Sequence, residues 1–186
     1  MKEELKREGL EWVKALGIGL IIFVVIRTFL FSNYVVEGES MMPTLQDGNK
    51  LVVNKIGYQI GELQHFDVIV FHANEEEDYV KRVIGLPGDT VEYKDDKLYV
   101  NGKYYEEPYL DKYKKQTIND KLTGDFTLKE ITGEKTVPDG KVFVLGDNRR
   151  GSMDSRYFGF IDEEEVVGKV NLRYWPLSEW GVQFTN

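Results

Sequence analysis

The sequence predicts a mostly antiparallel β domain carried on one N-terminal membrane helix. Three observations lead there: short β-rich runs recur along the chain, turns containing Gly, Asn and Asp separate them, and one long apolar segment lies near the N-terminus. With 186 residues, 41% of them hydrophobic and 13% aromatic, the chain suffices for one domain with an insertion and can bury a core. It contains no internal repeat and no low-complexity tract.

The apolar segment is residues 12–31, WVKALGIGLIIFVVIRTFLF. As a helix its twenty residues would span about 30 Å, the thickness of a bilayer core. Only 15–26 is free of charge, so Lys14 and Arg27 would extend toward opposite interfaces. A cleaved signal peptide is the rival reading, because its apolar region can be equally short. Against it, the segment continues as Phe29-Leu30-Phe31 with no Ala-x-Ala-like site close behind. Four of the five basic residues in 1–33 lie at or before Lys14, which places 1–11 in the cytoplasm and 32–186 outside the cell membrane.

Beyond this single-pass anchor, strands are expected at 34–37, 51–54, 68–72 and 79–84. The stretch TVEYKDDKLYVNG reads as a hairpin turning at Asp95-Asp96, with a second turn at Asn101-Gly102. Later strands fall at 142–145 and 166–174, and the polar segment 109–137 reads as an insertion or lobe. The net charge is −8, with +1 on residues 1–33 and −9 on the remainder, which argues against nucleic acid as a partner. The absence of cysteine excludes disulfides, zinc–thiolate sites and a cysteine nucleophile, and leaves the redox compartment open.

The stretch EGESMMPT, residues 37–44, places Ser40 just after an apolar run. A serine hydroxyl is a weak nucleophile unless a neighbouring base removes its proton. Histidine is the usual base, but His65 in LQHFD and His72 before NEEED read as ordinary loop and strand-end residues. No G-x-S-x-G elbow surrounds Ser40. Lysine is the other candidate. In DYVKRVIGLPGD, strand alternation puts Tyr79, Lys81 and Val83 on one face and Val80, Arg82 and Ile84 on the other. A lysine working near neutral pH needs its pKa lowered by roughly 3 units, about 4 kcal/mol, from about 10.4. Burial in an apolar site can supply that shift, whereas a solvated strand lysine keeps its ordinary value. Alternation alone leaves both readings open.

Three stretches, GESMMPT, YVKRVIGLPGD and VFVLGDNRRGSMDSRYFG, stand in this order behind the anchor. Together they resemble the hallmark boxes of bacterial type I signal peptidases of the Gram-positive type, and the likeness runs from Trp12 to about Pro176. The resemblance implies a coiled antiparallel β-barrel serine–lysine peptidase domain, with Ser40 as nucleophile and Lys81 as general base. It also implies that Ser152 orients the lysine amine by a hydrogen bond, that Asp154 and Arg156 form a supporting ion pair, and that Asp147 and Arg149 hold the turn. Two positions depart from the family pattern. Gly38 stands where many members carry a hydroxyl that donates to the oxyanion, which leaves the Ser40 amide as donor. Gly151 stands where asparagine is common.

The implied substrates are preproteins emerging from the secretion machinery, cut after small-x-small sites such as Ala-x-Ala. Tyr34, Val35 and Val36 would pair with the extended substrate as an added strand, while Gly38 and Met41 would border shallow pockets. For Val35, Val36 and Met41, core packing is the alternative. Ser40 lies nine residues past Phe31, so a fully extended connection keeps it within about 30 Å of the bilayer. No cofactor or metal is implied; the partners are preprotein and lipid bilayer. Two rivals remain: a self-cleaving SOS-repressor-type serine–lysine hydrolase, and a non-catalytic membrane-tethered β domain that binds a partner. The first would carry a DNA-binding module where this chain has an anchor, and the second leaves the three boxes unexplained.

Overall fold

The computed structural model describes residues 2–29, 31–55, 63–117, 120–182 and 184, with the side chains of 2–7, 10 and 25–29 outside the described set. Helix α1 (Lys2–Phe29) opens the chain, and its side chains from Glu11 to Val24 face solvent. Among the described residues no helix is long and apolar enough to cross a membrane. The end of the expected span, residues 25–30, lies outside the described side chains.

The strands follow in chain order as β1 (Phe31–Val35), β2 (Lys50–Asn54), β3 (Val68–His72), β4 (Asp78–Gly85), β5 (Val91–Lys94), β6 (Lys97–Val100), β7 (Lys103–Tyr105), β8 (Phe126–Thr127), β9 (Lys141–Leu145), β10 (Ile161–Asp162), β11 (Val166–Trp175) and β12 (Gly181–Val182). The larger sheet runs β1-β2-β11-β3-β4-β9-β10 with β12 on β11, and every pairing in it is antiparallel. The smaller sheet runs β7-β6-β5-β8.

The larger sheet curls until the Tyr34 hydroxyl on β1 donates to Asp78 at the head of β4, at 2.8 Å. The strand path nevertheless ends at β1 and β10. The architecture is a mostly antiparallel, curled half-barrel: the expected coiled antiparallel sheet is present, and among the described residues it stops short of a closed barrel. Ladder bonds fail to close it because a side-chain contact, not a strand pairing, joins β1 to β4.

The central strands are buried on both faces, which explains their nearly continuous apolar sequences. In β3, Val68 and Val70 pack with Val36, Met41, Leu45, Leu51, Val53 and Val170. On its other face Ile69 and Phe71 pack with Val83, Val142, Val144 and Val166. Ile84, Phe143 and Leu145 join a third cluster with Val91, Tyr93, Leu98 and Val100, which docks the smaller sheet.

The β5–β6 turn is made by Asp95 and Asp96 at φ 52° and 57°, and the next by Asn101 and Gly102 at φ 53° and 75°. Two successive left-handed residues match the twist of a hairpin, so both turns are where the sequence puts them. Segment 109–137 contributes α2 (Asp111–Gln116), β8 and α3 (Leu128–Thr132), the last begun by a Thr127/Glu130 capping box. Its buried Leu128 belongs to the third cluster.

β1 begins at Phe31, so a cut after residue 33 would remove three of its five residues. Deleting residues 1–29 should leave a folded domain whose thermal midpoint, read by circular dichroism, is unchanged within a few degrees. Deleting through Val35 should strip the cover from β2 and lower that midpoint by roughly 10 °C or more.

Candidate active site

Ser40 opens the tight turn that follows β1. The loop is stitched at its base by Val36 N–H to Asn49 O (2.8 Å) and Gly48 N–H to Val36 O (2.9 Å). The buried side chains of Met41 and Leu45 pin the turn to the core, and Leu45 N–H donates to Met41 O at 2.9 Å. Gly38 adopts a left-handed φ of +86°, and its amide donates to Asp47 Oδ1 at 2.8 Å.

Lys81 comes from β4, opposite Ile69. It is 4% exposed, and its Nζ lies 3.0 Å from Ser40 Oγ and 3.0 Å from Val80 O. The ring of Tyr79 stands 5.0 Å from the same nitrogen. Burial lowers the Lys81 pKa to about 8, and the carboxylates of Asp154 and Asp147 oppose the fall.

Arg82, the next residue, is fully buried and grips Asp147 with two bonds, Nε to Oδ1 at 2.9 Å and Nη2 to Oδ2 at 2.7 Å. Thr44 Oγ1 donates to the same carboxylate at 2.5 Å, and Arg82 Nη1 donates to Phe66 O at 2.9 Å. Asp147 thus bonds to the serine turn and to the lysine strand at once. The turn after β9 adds a further tie: Asn148 N–H donates to Ser40 O at 3.0 Å.

Asp154 and Arg156 form a bidentate pair at 2.8 and 2.9 Å. Asp154 Oδ2 also accepts from Gly146 N–H at 3.0 Å, and its Oδ1 caps the short helix α4 (Ser155–Phe158) through the Arg156 amide. Gly146 is required sterically: an added Cβ would lie 2.1 Å from Ser152 Oγ and 2.6 Å from Ser40 O.

The structure departs from the sequence reading at several positions. Ser152 is buried beside the Ser40 turn, yet its Oγ has no hydrogen-bond partner among the described residues. The bond expected from Ser152 to Lys81 is absent because Nζ turns to Ser40 and to the Val80 carbonyl. Arg149 holds the turn through Nε to Gly146 O at 3.0 Å, and the rest of its guanidinium reaches beyond it. It donates to Glu107 Oε1 at 2.5 Å and to Tyr93 Oη at 2.5 Å, across to the smaller sheet. Val36 and Met41 lie in the core, where they can shape only the floor of a pocket, whereas Val35 is 56% exposed. The histidines are occupied elsewhere, His65 with Asp89 and His72 with Asp78, each at 2.6 Å.

Sequence reading missed Thr44, Arg82, Tyr93 and Glu107. Only Arg82 carried a signal: it sits between Val80 and Ile84 on a strand face that is otherwise apolar, where a charge needs a buried partner.

Known proteins match the chain over most of its length. The model of the family "Signal peptidase, peptidase S26" matches residues 9–175. Signal peptidase I of Bacillus caldolyticus is 55% identical over 184 residues, covering 99% of this chain and all of that protein. Signal peptidase IB of Staphylococcus aureus strain MRSA252 is 49% identical, covering 97% of this chain and 96% of that one. The crystal structure of a signal peptidase I from Enterococcus faecalis V583 superposes with a TM-score of 0.57 at 49% identity, covering 59% of this chain and 97% of that chain. The chain, matched over nearly its whole length by the Bacillus caldolyticus and Staphylococcus aureus proteins, belongs to the signal peptidase family, peptidase S26, the serine endopeptidases that remove signal peptides from exported proteins.

Proposed function

We propose that this chain cleaves preproteins with Ser40 as nucleophile and Lys81 as general base. The observation that carries this reading is the 3.0 Å approach of Lys81 Nζ to Ser40 Oγ from a buried site that lowers the lysine pKa to about 8. The neutral amine takes the Ser40 proton as Oγ attacks the scissile carbonyl. The resulting ammonium protonates the leaving amine, and the acyl-enzyme remains. Lys81, neutral again, then deprotonates a water that releases the signal peptide. The Ser40 amide supplies the oxyanion donor, since Gly38 has no side chain and its own amide is held by Asp47.

The substrate enters as an added strand. Among the described residues β1 pairs on one side only, with β2, and β9 pairs with β4 only from Arg82 onward. The first half of β4 and the outer side of β1 therefore keep free edges leading to Ser40, which suits an extended signal-peptide end. Val36 and Met41, already packed in the core, leave shallow space that favours small side chains. The enzyme works at the membrane, with α1 as its single-pass anchor, the N-terminus cytoplasmic and the β domain outside. Support comes from an exposed apolar rim of Val35, Trp175, Leu177 and Trp180. Val35, five residues before Ser40, and Trp175 share a register row through Lys50. Ser152, Asp147, Asp154 and Arg156 position the pair. The buried, unpartnered Ser152 hydroxyl is the group free to hold the amine as it gains and loses its proton.

Incubating the detergent-solubilised protein with a preprotein and mapping the cut by mass spectrometry tests the function, with cleavage after a small-x-small site expected. Absence of cleavage across several preproteins would overturn it. Ser40→Ala and Lys81→Ala should each abolish cleavage in a folded protein. Lys81→Arg should be equally inactive, because a guanidinium keeps its proton near neutral pH.

The pH dependence has a definite sign. The protonated lysine is inactive, so kcat/KM should rise as pH rises through about 8. Between about 8 and the ordinary value of 10.5 the unfolded chain binds a proton at Lys81 that the native state has lost, so stability rises with pH there. The penalty below that window is about 3 kcal/mol. Lys81→Met should therefore be inactive yet more stable than the parent in urea at pH 7, an advantage that fades as pH climbs to about 10.

Ser152→Ala should lower kcat about tenfold with little change in KM, since the hydroxyl acts on the base and not on the substrate. Stopped-time assays across substrate concentration separate the two constants.

A further inference from the structure

The structure assigns a second substrate region: a cleft that binds the first residues on the mature side of the scissile bond and selects against acidic side chains there. This rests on the peptidase reading above and extends it to the leaving half of the substrate. The cleft measures about 890 Å³, a size typical of built binding sites. Phe71 and Tyr79 form its floor from adjacent strands, and Met153, Tyr157 and Phe158 form its wall from the turn and helix that follow Ser152.

Its position follows from the chemistry. Lys81 must reach the leaving nitrogen to protonate it, so the mature segment begins within hydrogen-bond reach of Nζ. The Tyr79 ring lies 5.0 Å from Nζ and is also part of the cleft, and Met153 directly follows Ser152. The other half of the substrate is accounted for by the free edges of β1 and β4. The cleft lies on the Tyr79–Lys81 face of β4, away from the Val80 face that packs with Tyr34 and Val36. The leaving segment therefore emerges at the mouth of the cleft.

Its chemistry is equally specific. Tyr157 is 70% and Met153 57% exposed, large apolar surface kept in water in the same cleft as the Tyr79 ring. Phe71 contacts Tyr79 edge-on at 6.2 Å and Phe158 at 6.3 Å, which makes the aromatic wall continuous. The rim carries Glu75 and Glu165, with Asp162 paired to Lys141 at 2.6 Å. No lysine or arginine is among the lining residues, and the Arg156 guanidinium, 6.0 Å from the Tyr157 ring, is paired with Asp154. An apolar or basic segment complements this surface, while an acidic one is repelled.

The test uses the full-length enzyme and a series of preproteins identical through the cleavage site. One carries lysine at the second to fourth mature positions, one carries glutamate there, and one ends one residue after the bond. The lysine substrate should show kcat/KM about tenfold above the glutamate substrate, a gap that shrinks in 1 M salt. The truncated substrate should fall below the lysine substrate by about tenfold. Tyr157→Ala should narrow the gap between extended and truncated substrates and Tyr157→Phe should preserve it; Glu165→Gln should narrow the lysine–glutamate gap. If all three substrates are cut equally well by the parent enzyme, the cleft does not bind the mature segment, although the peptidase reading stands. If none is cut, it is the peptidase reading that fails.

Discussion

The buried pair of Arg82 and Asp147 is the constraint on which the site depends. Both side chains are fully excluded from solvent, and their two bonds tie β4 to the turn after β9. Through Thr44 the same carboxylate reaches the serine turn. Serine, lysine and the third motif are distant in sequence, so some interaction must hold them in one register. An ion pair with fixed fork geometry does so more sharply than apolar contact, because a slipped register would strand a buried charge. Removing one partner from such a pair typically costs about 3–5 kcal/mol.

The arrangement also sets the charge state of Lys81. Two carboxylates, Asp147 and Asp154, lie near enough to raise its pKa, yet burial dominates. Each carboxylate is committed to an arginine, Asp147 to Arg82 and Asp154 to Arg156, which diminishes the field left for the amine. The arginines thus let an acidic neighbourhood, which supplies hydrogen-bond acceptors for the turn, coexist with a lysine that titrates near 8. Had either carboxylate stood without its arginine, its attraction would have favoured the ammonium form.

The smaller sheet enters the same network from behind. Arg149 leaves the turn that carries Asp147 and is satisfied by Glu107 and Tyr93, with Tyr109 also close to both arginines. The sheet that sequence alone marks as a hairpin with an inserted lobe therefore braces the turn that carries Asp147, in addition to packing on the half-barrel through Ile84, Phe143 and Leu145. The cleft proposed for the mature segment, by contrast, is lined by α4 and the ends of β3 and β4, elements at the rim where Tyr157 and Met153 stay exposed.

What the sequence by itself determined is local. Alternation in β4, two-residue turns at Asp95-Asp96 and Asn101-Gly102, and motif residues Ser40 and Lys81 are legible because each depends on neighbours a few positions away. The tertiary structure decided everything that needs a partner far along the chain. Arg82 meets Asp147 across 65 positions and Arg149 meets Glu107 across 42, so neither pairing has a local signature. Val36 and Met41 are core residues, a burial set by which strands stack on them. Ser152 carries an unpartnered hydroxyl because the lysine amine points at Ser40 and Val80, a matter of side-chain geometry. Strand alternation left open whether Lys81 is solvated or buried. That is a property of the folded surroundings, since the free energy of a charge depends on the water and counter-charges that the whole fold leaves around it.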